Sequence, residues 1–259
     1  MNDSIEIGQA PFWLSPENIA FPPSELALDE PDGLLAIGGD LTPQWLLHAY
    51  KNGIFPWFNA DDPILWWTPN PRSVLKIKNL KISRSLRKSW RDKVLSGEYK
   101  ITLDTAFQKV MQNCASIPRK DQDGTWINHK MISSYLQLHH HGYAHSVEVW
   151  DGDQLIGGLY GLAIGKIFFG ESMFAHKTDA SKLALMAICF QLEEWGFEWI
   201  DTQVETSHLS SLGATLLGRD AFEAGLRYFT RQSFPPTNWD FELDWPSVLD
   251  VFRTRYSNS

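Results

Sequence analysis

Three polar residues of this chain, Glu171, Asp201 and Gln203, have the types and spacing that a reaction centre could use. Residues 199–204 read W-I-D-T-Q-V, and successive side chains of a strand point to opposite faces. Trp199, Asp201 and Gln203 are expected on one face, with Ile200, Thr202 and Val204 on the other. A carboxylate and an amide aimed the same way either satisfy each other inside the core or serve a reaction. Upstream, F-F-G-E-S-M-F (168–174) reads as a hairpin strand able to bring Glu171 near that face. A carboxylate beside an amide can orient a nucleophile and take up or relay its proton. A buried hydrogen-bond network accounts for the same residues, and periodicity does not choose between the two.

Other chemistries lack their residues. His139, His140 and His141 are consecutive, so they cannot share one helix face as metal ligands would. The pair His141 and His145 spans Gly142 at a helix end, and no metal site is expected. Cys114 and Cys189 lie far apart in no ligand spacing. The chain carries no G-x-G-x-x-G, G-K-[ST] or G-x-S-x-G motif, so nucleotide consumption is not expected. No basic-then-apolar leader and no membrane-length apolar run occurs, which predicts a soluble, reducing, cytoplasmic setting.

A net charge of −8 argues against nucleic acid until its distribution is read. Residues 1–71 hold ten acids and one base, whereas residues 72–93 hold nine bases and one acid. That asymmetry predicts a polarised surface, and the local field decides what approaches. On a helix beginning near Ser83, Arg84, Arg87, Lys88 and Arg91 fall within one arc, and Ile82, Leu86, Trp90 and Val94 lie roughly opposite. A cationic stripe backed by an anchoring face suits phosphate backbones, although a solvated helix face has the same pattern.

The elements that must position these residues follow from length, pattern and punctuation. At 259 residues and 43% hydrophobic, the chain can build one large core or two smaller ones. The first 71 residues, rich in Pro, Gly and Trp with one helix over 43–52, read as a small loop-rich domain. Helices are predicted over 104–115, 129–142, 179–196, 208–214 and 220–228. Strands are predicted over 144–150, 154–163 and 166–174, joined by short hairpin turns. This order predicts an α+β domain over 72–236 around a mostly antiparallel sheet, followed by a tail over 237–259.

Eight motifs in one order go beyond generic pattern: D-G-L-L-A-I-G-G-D-L, A-Y-K-N-G-I-F-P-W-F, P-I-L-W-W-T-P-N-P-R, I-S-R-S, G-T-W-I, H-S-V-E-V-W, F-F-G-E-S-M-F and I-D-T-Q-V. From about Phe21 to Pro236 the chain closely resembles the leucyl/phenylalanyl-tRNA–protein transferases. The resemblance implies a C-terminal domain like that of the N-acetyltransferase (GNAT) superfamily. It also implies transfer of Leu or Phe, with Met weaker, from aminoacyl-tRNA to proteins with N-terminal Arg or Lys, marking them for N-degron proteolysis. A coenzyme-A enzyme of that fold would carry a glycine-rich pyrophosphate loop before the long helix. Here A-H-K-T-D-A-S-K stands there, which argues against coenzyme A, and no other cofactor is implied.

By the same resemblance Asp201 and Gln203 carry the catalytic centre, with Glu171 beside them. Asp201 is expected to orient Gln203, whose amide oxygen attracts a proton of the amine; direct proton uptake by Asp201 and participation of the terminal ribose hydroxyl are the competitors. Glu171 is expected to position the ester's amino group or the acceptor's cation. Phe168 and Leu185 match the donor pocket, with Leu159 and Ile188 completing its wall where the family carries Met and Phe. Trp57 and Trp126 match aromatics that hold the terminal adenosine, or else pack in the core. Arg84, Arg87, Lys88 and Arg91 become the acceptor-stem grip. The rival readings are a cell-wall peptidyltransferase using aminoacyl-tRNA and a non-catalytic tRNA-binding module.

Overall fold

Seven strands form the sheet that carries the site: three follow one another as hairpins, and the others pair with neighbours from distant parts of the chain. The computed structural model describes residues 10–59, 61–117, 127–233, 239–243, 245 and 248. Among them the strands are β1 (Phe12–Leu14), β2 (Leu34–Gly38), β3 (Phe55–Pro56), β4 (Leu65–Trp67), β5 (Arg72–Lys76), β6 (Tyr99–Leu103), β7 (Ala144–Asp151), β8 (Gln154–Ile164), β9 (Ile167–Ala175), β10 (Trp199–Gln203) and β11 (Thr215–Leu217). The α-helices are α1 (Pro43–Lys51), α2 (Arg84–Ser89), α3 (Phe107–Ser116), α4 (His129–His140), α5 (Ala180–Glu194), α6 (Ser207–Ser211) and α7 (Arg219–Phe229).

The large sheet runs β11-β5-β10-β9-β8-β7-β6 and the small one β1-β2-β4-β3. In the large sheet only the central β9–β10 pair is parallel. That pairing runs Trp199↔Ile167, Ile200↔Phe168, Asp201↔Phe169 and ends there. Beyond it the two strands part and a cleft opens. The expected α+β class is what the chain adopts: a loop-rich N-terminal unit and a domain built on a mostly antiparallel mixed sheet.

Helix α5 packs on one face of the large sheet, where Leu183, Ala187 and Ile188 join Phe168 and Ile200 in one core. Helices α3 and α4 cover the other face, where Val110, Met131 and Tyr135 meet Tyr160 and Phe169. The small sheet and α1 extend that second core through Leu35, Trp45 and Trp66. Burial on both faces explains why β8 shows no polar alternation from Ile156 to Ile164.

Two predicted helices needed correction. The helix expected from Asp104 begins at Phe107, because Asp104 is turned inward at φ 54°. There its Oδ2 lies 2.7 Å from His145 Nδ1, and its Oδ1 accepts the Ser146 N–H at 2.7 Å. Glu148 then accepts the Ala106 N–H at 3.3 Å, at the start of α3. The helix expected over 208–214 is shorter. Gly213, at φ 104°, ends α6, and the chain turns into β11 beside β5. A Cβ on Gly213 would stand 2.3 Å from the Asn79 carbonyl oxygen, so the close crossing requires glycine.

Candidate active site

Alternation along β10 fails at the residue that matters most. Asp201 pairs with Val74 of β5 and Gln203 pairs with Ser73, so Thr202 is an extra residue in the ladder. Gln203 itself adopts φ 62°. Such a bulge re-aims a side chain. Ile200, Thr202 and Gln203 consequently line the cleft together, while Asp201 lies fully buried behind them. The expectation that Asp201 and Gln203 share a face is therefore corrected by a non-local pairing that no local pattern reports.

Asp201 is occupied from within. Arg72, at the start of β5, donates from Nε to Oδ1 at 2.9 Å and from Nη2 to Oδ2 at 2.8 Å. The Gln203 backbone N–H adds a third bond to Oδ1 at 2.9 Å. The guanidinium is 1% exposed and lies over the rings of Phe55 and Phe222, 4.6 and 4.9 Å from their centroids. Arg72 thus leaves the basic surface to which its sequence position assigned it. Its role is to fix the carboxylate that holds the backbone of Gln203.

Glu171 is the extra residue of a second bulge, between Gly161↔Gly170 and Tyr160↔Ser172. Gly161 is needed opposite, since a Cβ there would lie 2.2 Å from the Phe169 carbonyl oxygen. Glu171 Oε1 accepts from Gln203 Nε2 at 2.7 Å, and Oε2 accepts from the Tyr135 hydroxyl at 2.9 Å. The Tyr135 hydroxyl meets that of Tyr50 at 2.5 Å, deep in the second core. The chain Gln203–Glu171–Tyr135–Tyr50 therefore links the cleft to helices α4 and α1. Burial pushes the Glu171 carboxyl up to about 7, against the lowering effect of its hydrogen bonds to the tyrosines and Gln203. Sequence reading found Glu171 but not Tyr135, Tyr50 or Arg72, whose partners lie far away in the chain.

That elevated value has a measurable consequence. An acid whose folded pKa is raised favours the folded state while protonated, and this contribution is lost as pH rises through the window from about 4.5 to 7. Glu171→Gln removes the ionisation and keeps the shape. Its unfolding free energy, followed by denaturant titration, should gain on the parent's between pH 5 and pH 8, by roughly 1–2 kcal/mol after allowance for partial exposure. A constant difference across that range would refute the assignment.

The apolar side of the cleft is formed by Leu159, Phe168, Met173, Leu185, Ile200 and Leu209, around a volume of about 340 Å³. Of the four residues expected to form a donor pocket, Leu159, Phe168 and Leu185 line this cleft. Ile188 does not: it is fully buried in the core around α5 and does not line the cleft. One helical turn separates it from Leu185, which carries it past the pocket floor. Trp57 follows β3, is 36% exposed and meets Trp67 with ring centroids 5.6 Å apart. Trp126 lies outside the described residues.

The basic helix has the face predicted for it. Ser83 caps α2 by accepting the Leu86 N–H at 3.1 Å. Ile82, Leu86, Trp90 and Val94 are buried, while Arg84, Lys88 and Arg91 are exposed and Arg87 is half-buried. After Ser89 the helix widens into a π turn over Trp90–Val94. The ring of Trp245, in the tail, meets Trp90 edge-on at 5.4 Å. Elsewhere His145 joins Asp104 and His139 rather than His141, with their ligand atoms within 4.8 Å of one another. Both nitrogens of His145 already face oxygens of Asp104 and Gly142, and His139 Nδ1 faces the Ala144 carbonyl. The cluster is a tie between β7 and the ends of β6 and α4.

No helix among the described residues is long and apolar enough to cross a membrane. Residues 74–227 match the family described as leucyl/phenylalanyl-tRNA protein transferase, and residues 39–70 match its N-terminal domain. The chain is 61% identical over 235 residues to the leucyl/phenylalanyl-tRNA–protein transferase of Hydrogenovibrio crunogenus, covering 91% of this chain and 90% of that protein. It is 53% identical to that of Stutzerimonas stutzeri, with 92% and 97% covered, and 52% identical to that of Cellvibrio japonicus, with 91% and 96% covered. The chain belongs to the leucyl/phenylalanyl-tRNA–protein transferase family and is an aminoacyltransferase.

Proposed function

We propose that Gln203, held at its amide nitrogen by Glu171 and at its backbone by Asp201, aligns an incoming α-amine against the ester carbonyl of Leu-tRNA or Phe-tRNA. The acceptors are proteins beginning with Arg or Lys, which the added residue marks for the N-degron pathway. The observation that carries this reading is the cleft itself, with an apolar wall and the Gln203–Glu171 pair at the point where two parallel strands part.

The chemistry asks little of the protein. An aminoacyl ester is already activated, and exchange of ester for amide runs downhill. The reacting atoms must be held about 3–3.5 Å apart. Because Gln203 Nε2 donates to Glu171, its carbonyl Oε1 is the atom left to accept an amine proton. Asp201 has both oxygens engaged by Arg72 and serves as a positioning residue rather than as the proton acceptor. Leu159, Phe168 and Leu185 receive the donor side chain. A donor branched at Cβ has a stiff χ1 and collides near the reacting carbon, whereas one methylene more or less changes binding by about 1–3 kcal/mol. Trp57 and Trp126 supply stacking surfaces for the terminal adenosine, worth about 1–3 kcal/mol per base.

The stripe of Arg84, Arg87, Lys88 and Arg91 grips the acceptor-stem backbone without reading bases. Neutralising Arg84 and Arg87 should weaken tRNA binding and lower the slope of log affinity against log salt by about two. An unchanged slope removes the stripe from the interface.

The deciding assay mixes charged Leu-tRNA, the purified protein and a peptide starting with Arg or Lys. Label in a new peptide amide supports the reading. Binding of tRNA without transfer supports a non-catalytic module, and transfer to a muropeptide alone supports a cell-wall peptidyltransferase.

A further inference from the structure

One cleft residue has no part in the scheme so far. Thr206 caps α6 by accepting the Leu209 N–H at 3.1 Å, which sets His208 in the first turn and in the lining of the cleft, with Gln203, Glu171 and Thr202. His139, His141, His145 and His176 all have ring hydrogen-bond partners. His208 has none at either ring nitrogen among the described residues; its contact in that segment is through the backbone carbonyl, to Ser211 Oγ. The nearby charged groups are Lys182 on α5 and, in the same cleft, Glu171 on β9; Glu205, three residues earlier, accepts from Ser210 Oγ, and the Arg72–Asp201 pair is buried behind β10.

The reaction leaves one proton without a destination. An α-amine with an unperturbed pKa of about 7.7–8.0 arrives mostly as the ammonium, which cannot attack. Asp201 is sealed, and Glu171, whose carboxyl is raised to about 7 and whose oxygens accept bonds from Gln203 and Tyr135, is the competing acceptor. We propose that His208 is the base that takes this proton from the acceptor's ammonium at the cleft, an inference that rests on the transferase reading above. The ammonium N–H bond breaks, its electron pair stays on nitrogen and the proton passes to the imidazole. The neutral amine then attacks the ester carbon, and a second N–H proton leaves with the departing ribose O3′. The ring, exposed on its outer side, returns its proton to water. Partial desolvation and the nearby Lys182 charge lower the pKa of His208, which favours the neutral ring that can accept a proton. The downhill acyl transfer draws the proton step forward.

The test measures kcat and KM for an Arg-initiated peptide, at saturating Leu-tRNA, between pH 6.5 and 8.5 in the parent, His208→Ala and His208→Gln. General-base removal typically costs 10²-fold or more. A fall in kcat of at least about tenfold is expected at pH 6.5, shrinking towards pH 8.5 as the amine loses its proton in solution. KM for the charged tRNA should stay unchanged, and added imidazole should restore part of the rate in His208→Ala. An equal loss at every pH without imidazole rescue, or no loss at all, overturns the assignment. Those outcomes leave the transferase reading standing as long as the parent transfers; a parent that transfers nothing sinks that reading instead.

Discussion

Arg72→Met is expected to cost about 3–5 kcal/mol of stability, because it leaves the Asp201 carboxylate buried without its partner. The pair is fully enclosed, at 1% and 0% exposure, so water cannot replace the lost bonds. Adding Asp201→Leu should recover most of that loss, since apolar residues of similar volume often replace a buried ion pair at no net cost. Activity should not return with stability. The double variant still lacks the oxygen that binds the Gln203 backbone N–H, so the bulge that aims the amide into the cleft is unsupported. Denaturant midpoints and single-turnover transfer rates separate the two effects. A double variant no more stable than the single one would falsify the view that uncompensated charge is the damage.

The second large effect is expected at Gln203. Gln203→Ala should lower kcat about 10²-fold, the typical cost of losing alignment at a reacting centre, and leave tRNA affinity unchanged. A residue at φ 62° favours Gly and Asn, so alanine also adds backbone strain. Gln203→Asn controls for this, because it tolerates that conformation yet is one methylene too short to keep the 2.7 Å bond to Glu171. Both variants should lose turnover together. If Asn restores the rate, the bulge geometry rather than the side chain carries the effect. If tRNA affinity falls in parallel with kcat, the residue binds rather than aligns.

What was legible followed from local rules. The anchoring face of the basic helix is spaced four residues apart through Ile82, Leu86, Trp90 and Val94, and that spacing survives even the π turn. The hairpins β7–β8 and β8–β9 announce themselves by their turns, at Gly152 and Gly165, both with positive φ. The short strands β5, β6 and β11 carry no comparable signal, because their neighbours are β10, β7 and β5, far away in the chain. A basic residue opening an apolar run, as Arg72 does in R-S-V-L, was the available hint of a buried cation. Ile188 shows the opposite error: its residue type suits a pocket wall, but one turn of α5 moves it from the cleft into the core.

By itself the sequence determined the family, the α+β class, the cationic stripe and the candidacy of Glu171, Asp201 and Gln203, because long motifs, turn chemistry and helical period are all written locally. Only the tertiary structure decided how those three divide their work. Pairing with β5 inserts Thr202 into the ladder, turns Gln203 to the cleft and hands Asp201 to Arg72. The bulge opposite Gly161 then delivers Glu171 to the amide of Gln203. A bulge is set by the register between two strands, and register is a property of residues that are neighbours in space alone.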